Sequence, residues 1–511
     1  MRAEVQRSEV VATAAGQVQG VDLGGIRRFR GLRYGASTSG ANRFRPPQPV
    51  APWTGVFDAL DYGDTAPQTF SRLALGGTKG HRPPLGEDCL RLNVWTPGCD
   101  EARRPVMVWL HGGGFEAGTG SMLLYDGTNV ARRGDVVVVT INHRLNVFGH
   151  CYLDELAGDD FAGSANVGFL DVVAALEWVR DNIAGFGGDP GNVTIYGQSG
   201  GGRKVSIAMA APAADGLFHR GIVQSGSHLR LTDPDRATAL TSALLDRLGI
   251  PAAEARRLQD VPMDQLTEAS AAVRGRFAPT IDGVVFDDHP WDPDAPARSS
   301  HIPLMVGTCR TELSNQVGSM DPTSFDITDA DLVERLARYV PADDAPDLVE
   351  LVRRSVPDAP APEVFFTIAS ARGYWLDSVL QTERKAAQGD APVYSYRVMW
   401  RTPVEGGRRI SPHSLCLPFV FDNVAVAPDM VGDPTDETAA LAAAMSEAWI
   451  SFARTGDPNH ASIPQWDPYD LDRRPVMHFD ARSQAFDDPH RDERLAMSRY
   501  DTQQMRRILH R

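Results

Sequence analysis

The sequence predicts an α/β fold built on a large, mostly parallel, doubly wound sheet with helical insertions. Two observations predict it. Short apolar segments alternate with segments of helical periodicity, the pattern of strands joined by crossover helices. Two of those segments, Pro105–Leu110 (PVMVWL) and Asp135–Asn142 (DVVVVTIN), are nearly unbroken apolar runs, as expected of strands covered on both faces.

The elements follow in chain order. Residues 1–10 read as a loose N-terminal tail and residues 11–511 as one domain, since no linker-like stretch cuts the chain. Short alternating stretches with glycine between residues 11 and 60 read as hairpins. Val167–Asn182 sets Phe169, Val172, Val173, Leu176 and Val179 on one helical face. Val193–Tyr196 reads as a strand, Arg203–Ala211 as a helix, and Gly221–Gln224 and Leu304–Gly307 as further strands. Residues 320–385 read as helical, and residues 434–454 as one long helix ending at Gly456.

Composition excludes several classes of function. The 511 residues carry 51 Lys and Arg against 66 Asp and Glu, a net charge of −15. Nucleic-acid phosphates would be repelled by such a surface. Apolar runs fall far short of the roughly 20 residues of a membrane span, and the N-terminus lacks an apolar signal core. A cytoplasmic protein with no membrane partner is expected. Five cysteines are too sparse for a disulfide scaffold. No H-E-x-x-H or paired-cysteine pattern occurs, so no metal or cofactor is expected.

Residues 197–201, Gly-Gln-Ser-Gly-Gly, fit G-x-S-x-G around Ser199. The motif is weak alone, but a strand precedes it and a helix follows. In a sharp strand-to-helix turn, Gly197 and Gly201 lack the Cβ atoms that would clash, and the serine Oγ is held outward at a helix N-terminus. After Leu110 comes His111-Gly112-Gly113-Gly114-Phe115. Successive glycines leave backbone N–H groups free to point into a cavity, as acyl transfer requires of oxyanion donors. A dinucleotide loop is the rival reading of Gly112-x-Gly114-x-x-Ala117. It fails because no helix opens after it and no acidic residue ends a second strand about twenty residues on.

With these motifs in place, the chain resembles the type B carboxylesterases, the α/β-hydrolase family that includes the cholinesterases. The resemblance runs from about residue 15 to residue 480. Its landmarks stand in order: Arg43-Phe44, Glu87 to Val94 (EDCLRLNV), HGGGF at 111, Asn142 to Leu145 (NHRL), Asn166-Val167-Gly168 with Leu170-Asp171, Gly187 to Pro190 (GGDP), the elbow at 199, Gln224 to Ser227 (QSGS), and Phe452 to Pro458 (FARTGDP).

The resemblance implies the site. In the family the triad acid is a glutamate in a G-T-x-R-x-E context, which falls on Glu312. The histidine precedes an L-P-F-V-F stretch, which falls on His413. With Ser199 they form the implied catalytic triad, and the N–H groups of Gly113, Gly114 and Gly200 the implied oxyanion hole. Arg43 with Glu87, and Arg144 with Asp171, resemble the family's buried structural ion pairs. The implied reaction is hydrolysis of a small-molecule carboxylic ester through an acyl-enzyme, by a monomer or homodimer. Carbamate or amide hydrolysis by the same triad is the alternative. A non-catalytic adhesion or scaffold protein is the third reading, disfavoured because the full catalytic set is present.

The chain departs from the family at several places. Gln198 and Cys416 stand where glutamates are usual. Their joint loss suggests a coupled change, and removing negative charge beside His413 disfavours the protonated imidazole. Cys89 lacks the partner that the family places some 25 residues earlier, where Ala66 to Thr69 stand. That fits a reducing compartment, leaves the equivalent loop unpinned, and with no matching tryptophan there argues against a cholinesterase. Arg203 and Lys204 occupy the first turn of the elbow helix, where cations are unfavourable, so both side chains are expected to point to solvent.

Overall fold

In a computed structural model, residues 6–69 and 84–502 are described. By the clustering of contacts the chain divides into two compact units, residues 1–220 with 231–290, and residues 221–230 with 291–511.

The first unit is built on a sheet of strands β1 (Arg7–Ala12), β2 (Gln17–Asp22), β3 (Arg27–Arg33), β4 (Val56–Asp58), β5 (Arg91–Thr96), β6 (Arg104–Leu110), β7 (Val137–Ile141) and β8 (Gly188–Gln198). They lie in the order β1-β2-β3-β5-β7-β6-β8, with β4 beside β2. β6 runs parallel to both β7 and β8. β1, β2, β3, β5 and β7 pair antiparallel in succession. The two apolar runs are the strands expected: every residue of β7 is buried, as is every residue of β6 after Arg104. β1 corrects the expected tail. Residues 7–10 are edge strand, with Ser8 and Val11 buried and their neighbours exposed; a register shift between Arg7 and Val10 breaks the strict alternation. Residues 1–5 lie outside the described part.

The second unit carries β9 (Arg220–Gln224), β10 (Leu304–Cys309), β11 (Val393–Val398), β12 (Pro475–Phe479) and β13 (Gln484–Asp487). From β9 to β12 the pairing is parallel in that order, and β13 closes the edge antiparallel to β12. Its helices bury a core of Leu313, Leu336, Leu348, Val364, Phe366 and Ile368, among others.

Helix periodicity located the longest helices well. Val167–Asn182 buries the five apolar side chains expected of it. Asp436–Thr455 starts where Thr435 accepts the Thr438 N–H at 3.2 Å and ends at Gly456 with φ 86°. All five cysteines are free thiols, and Cys89 is fully buried. Ala66 to Thr69, where the sequence offers Cys89 no partner cysteine, are within the described residues, and residues 70–83 are outside them.

Two buried ion pairs brace the first unit. Arg144 donates to both Asp171 oxygens, at 2.8 and 2.6 Å, with the two side chains at most 1% exposed. Arg43 pairs with Glu87 and donates to the Leu258, Gln259 and Val261 carbonyls at 3.2, 2.9 and 2.6 Å. Among the described residues no helix is long and apolar enough to cross a membrane.

Candidate active site

In the first unit β8 delivers Ser199 into a sharp turn. The helix Gly200–Ala208 begins at the next residue. Ser199 has φ 57° and ψ −120°, a backbone state costing on the order of 1–3 kcal/mol for a residue with a Cβ. Tight packing around the turn holds it there. A Cβ on Gly197 would strike the Gly201 backbone, and one on Gly200 would land on the Gly114 backbone. The elbow is therefore pressed directly against the loop after β6.

That loop, His111–Phe115, turns through positive φ at Gly113 (98°) and Gly114 (68°). Two of its N–H groups stay uncommitted: among the described residues neither the Gly113 nor the Gly114 amide finds an acceptor. Gly200 opens its helix, where the first N–H groups have no intrahelical partner. Ser199, Gly113, Gly114 and Gly200 thus meet in one place, and the first α-helix after the glycine loop begins only at Thr128, past one 3-10 turn at Leu123–Tyr125.

Lys204 contradicts the solvent-facing expectation. It is 2% exposed, and Nζ donates to the carbonyls of His111 at 3.2 Å and Gly114 at 3.1 Å. Desolvation, then the charge of Arg203, lowers its pKa to about 7. His111 and His143 stack with centroids 4.8 Å apart, and burial drops the His111 pKa to about 3, so this layer stays neutral.

The second unit holds the other two predicted residues together. Glu312 follows β10 and His413 lies in the loop before the helix Cys416–Val420. His413 Nδ1 is hydrogen bonded to Glu312 Oε2, and the Cys309 N–H donates to Oε1 at 2.7 Å. The two loops are cross-linked: Thr311 N–H donates to Ser411 O at 2.9 Å and Ser411 N–H to Thr311 Oγ1 at 2.9 Å. Asn315 donates to the His413 carbonyl at 3.2 Å. Tyr374, on a π-helical turn, packs against the imidazole with centroids 5.0 Å apart.

Arg310 anchors the acid loop from behind, a role the sequence did not announce. It pairs with Glu493 at 2.8 and 3.0 Å, both nearly buried. The partners are 183 residues apart, and no local motif links them. Cys416 accepts from Gln224 Nε2 at 3.3 Å, while Gln224 Oε1 accepts from Trp449 at 3.1 Å. Among the described residues no cluster of His, Cys, Asp and Glu could hold a metal ion.

Comparison with known proteins gives the setting. Residues 7–498 match the Carboxylesterase family. The para-nitrobenzyl esterase of Bacillus subtilis is 34% identical over 95% of this chain and 98% of its own. The phenmedipham hydrolase of Pseudarthrobacter oxydans is 33% identical over 92% of this chain and 94% of its own. A crystal structure of a Geobacillus stearothermophilus carboxylesterase at pH 6.2 superposes with a TM-score of 0.84 at 37% identity, covering 96% of this chain and all of that one.

Proposed function

The chain belongs to the carboxylesterase family and is a serine ester hydrolase of the α/β-hydrolase fold, and from that premise we propose that Ser199, His413 and Glu312 form its catalytic triad. The observation that carries the proposal is Ser199 itself, held at positive φ against a loop with two uncommitted amides.

In this reading neutral His413 takes the Ser199 proton as Oγ attacks the ester carbonyl. Glu312 holds the imidazole in orientation and stabilises the imidazolium. The oxyanion is received by the N–H groups of Gly113, Gly114 and Gly200. His413 returns its proton to the leaving alcohol. Water then attacks the acyl-enzyme with His413 again as base, releasing the acid and restoring Ser199.

A fluorophosphonate probe tests this. Labelling is expected at Ser199, with loss of both labelling and p-nitrophenyl ester hydrolysis in Ser199→Ala. An active Ser199→Ala protein would overturn it.

A second reading has a specific support. A relative named for phenmedipham hydrolysis matches nearly the whole chain, so carbamates are proposed as further substrates of the same triad. Parallel rates on a p-nitrophenyl ester, an aryl carbamate and an anilide decide it. Turnover of the ester alone would remove the carbamate reading.

The two units are proposed to work as one catalytic domain, a monomer or homodimer. Five free thiols support a reducing, cytoplasmic setting. Sedimentation and fractionation check these points.

A further inference from the structure

Lys204 is the fifth residue after Ser199, on the same helix, and it is an unusual thing to bury. An ammonium taken out of water without a counter-charge is costly, and an apolar side chain would fill the same space without that cost. Among the described residues no carboxylate forms an ion pair with it, and the charge acting on it is that of Arg203. Its hydrogen bonds go to the carbonyls of His111 and Gly114, and its Nζ stands 5.6 Å from the Phe115 ring centroid. Those two carbonyls lie on either side of the Gly113 and Gly114 amides in the chain.

We propose that Lys204 is a positioning residue for the oxyanion hole, its ammonium tying down the loop at both ends of the two donor amides. The inference rests on the reading of Gly113 and Gly114 as oxyanion donors. Glycine-rich loops are conformationally free, and donors that must reorganise during reaction lose their advantage over water. One cation bonded to both His111 O and Gly114 O fixes the loop to the elbow helix before any charge develops. The buried lysine thereby sets the distance between nucleophile and donors from a single element. The effect belongs to the transition state, so it is read in kcat and not in KM.

The test compares the parent enzyme with Lys204→Met, which keeps the bulk and removes the donors. Active sites are counted by fluorophosphonate labelling, so misfolded protein drops out of the comparison. The expected result is a kcat per labelled site at least about 10-fold lower on p-nitrophenyl acetate, with KM within about threefold. A kcat per labelled site within about twofold of the parent, or a loss confined to KM, would overturn the proposal. If Lys204→Met gives no labelled protein, Lys204→Gln carries the same comparison with the same two outcomes. If the parent fails to label at Ser199, the underlying reading falls and the inference falls with it.

Discussion

His413 Nδ1 meets one oxygen of Glu312 while the Cys309 N–H, 2.7 Å away, holds the other. The carboxylate is thus fixed at both oxygens, and the ring can turn only by breaking a buried hydrogen bond. Glu312→Gln keeps the shape but offers the ring a different partner and removes the charge that stabilises the imidazolium. A fall in kcat of about 10³–10⁴ is expected, with folding intact by circular dichroism. A loss of less than about tenfold would show that another group orients His413.

The Arg310–Glu493 pair makes an acid-stability prediction. Burial alone would raise the Glu493 pKa, but the Arg310 guanidinium, with hydrogen bonds from His490 and Arg310, holds it well below its ordinary value of 4.5. A carboxyl with a depressed folded pKa adds stability above its unfolded pKa and loses it as pH falls through the folded one. The contribution is therefore whole at neutral pH and fades below about pH 4.5. Glu493→Gln should cost about 3–5 kcal/mol at pH 7, because Arg310 is left buried with Arg397 acting on the same space. It should also flatten the acid side of the stability curve. Urea unfolding at pH 7, 5 and 4 checks both, and parallel curves for parent and variant would refute the linkage.

Cys416 stands where the family resemblance places a glutamate, and its thiol contacts that of Cys309, one residue before Arg310. A carboxylate introduced here would bring a negative charge three residues along the chain from His413, and a nearby negative charge favours a protonated imidazole. Cys416→Glu should move the acidic limb of the kcat/KM profile to higher pH. The expectation fails if the limb stays where it was in an enzyme that still turns over.

The thiols are protected by burial. Desolvation pushes the Cys151 thiol pKa up to about 12, and the half-buried Cys99 thiol likewise to about 12. Burial raises the Cys89 and Cys309 thiols too, so thiolate, the reactive form, is scarce at these four positions at neutral pH. A thiol titration should find at most one slowly reacting group in native protein and five after denaturation, and iodoacetamide at pH 7 should leave activity unchanged. Rapid inactivation would place a reactive cysteine at the site.

Much of this was legible in the chain. The strands β6, β7 and β10 are covered on both faces, so their composition alone betrays them. The elbow and the glycine loop are legible because backbone crowding demands glycine at fixed spacing. β11 to β13 went unread: their sequences mix apolar with charged or polar residues, and β13 is a short edge strand. The edge strand β1 reads as tail for the same reason.

Lys204 reads as solvent-facing because the preference at a helix terminus is local. A cation in the first turn of a helix is unfavourable toward that helix, but the acceptors that decide its position lie 90 and 93 residues earlier in the chain. They are backbone carbonyls, which carry no sequence signature. The same is true of Arg310, whose partner is a glutamate in a helix near the C-terminus.

The contact between Gly200 and Gly114 reaches beyond this one molecule. The two residues touch backbone to backbone, and neither chain segment can shift without the other following. In a chimera assembled from two relatives, any crossover between Phe115 and Gly197 takes the glycine loop from one parent and the elbow from the other. Such hybrids should fail far more often than those crossing elsewhere at equal parental divergence, because loop and elbow form one heritable block despite the eighty-odd residues between them.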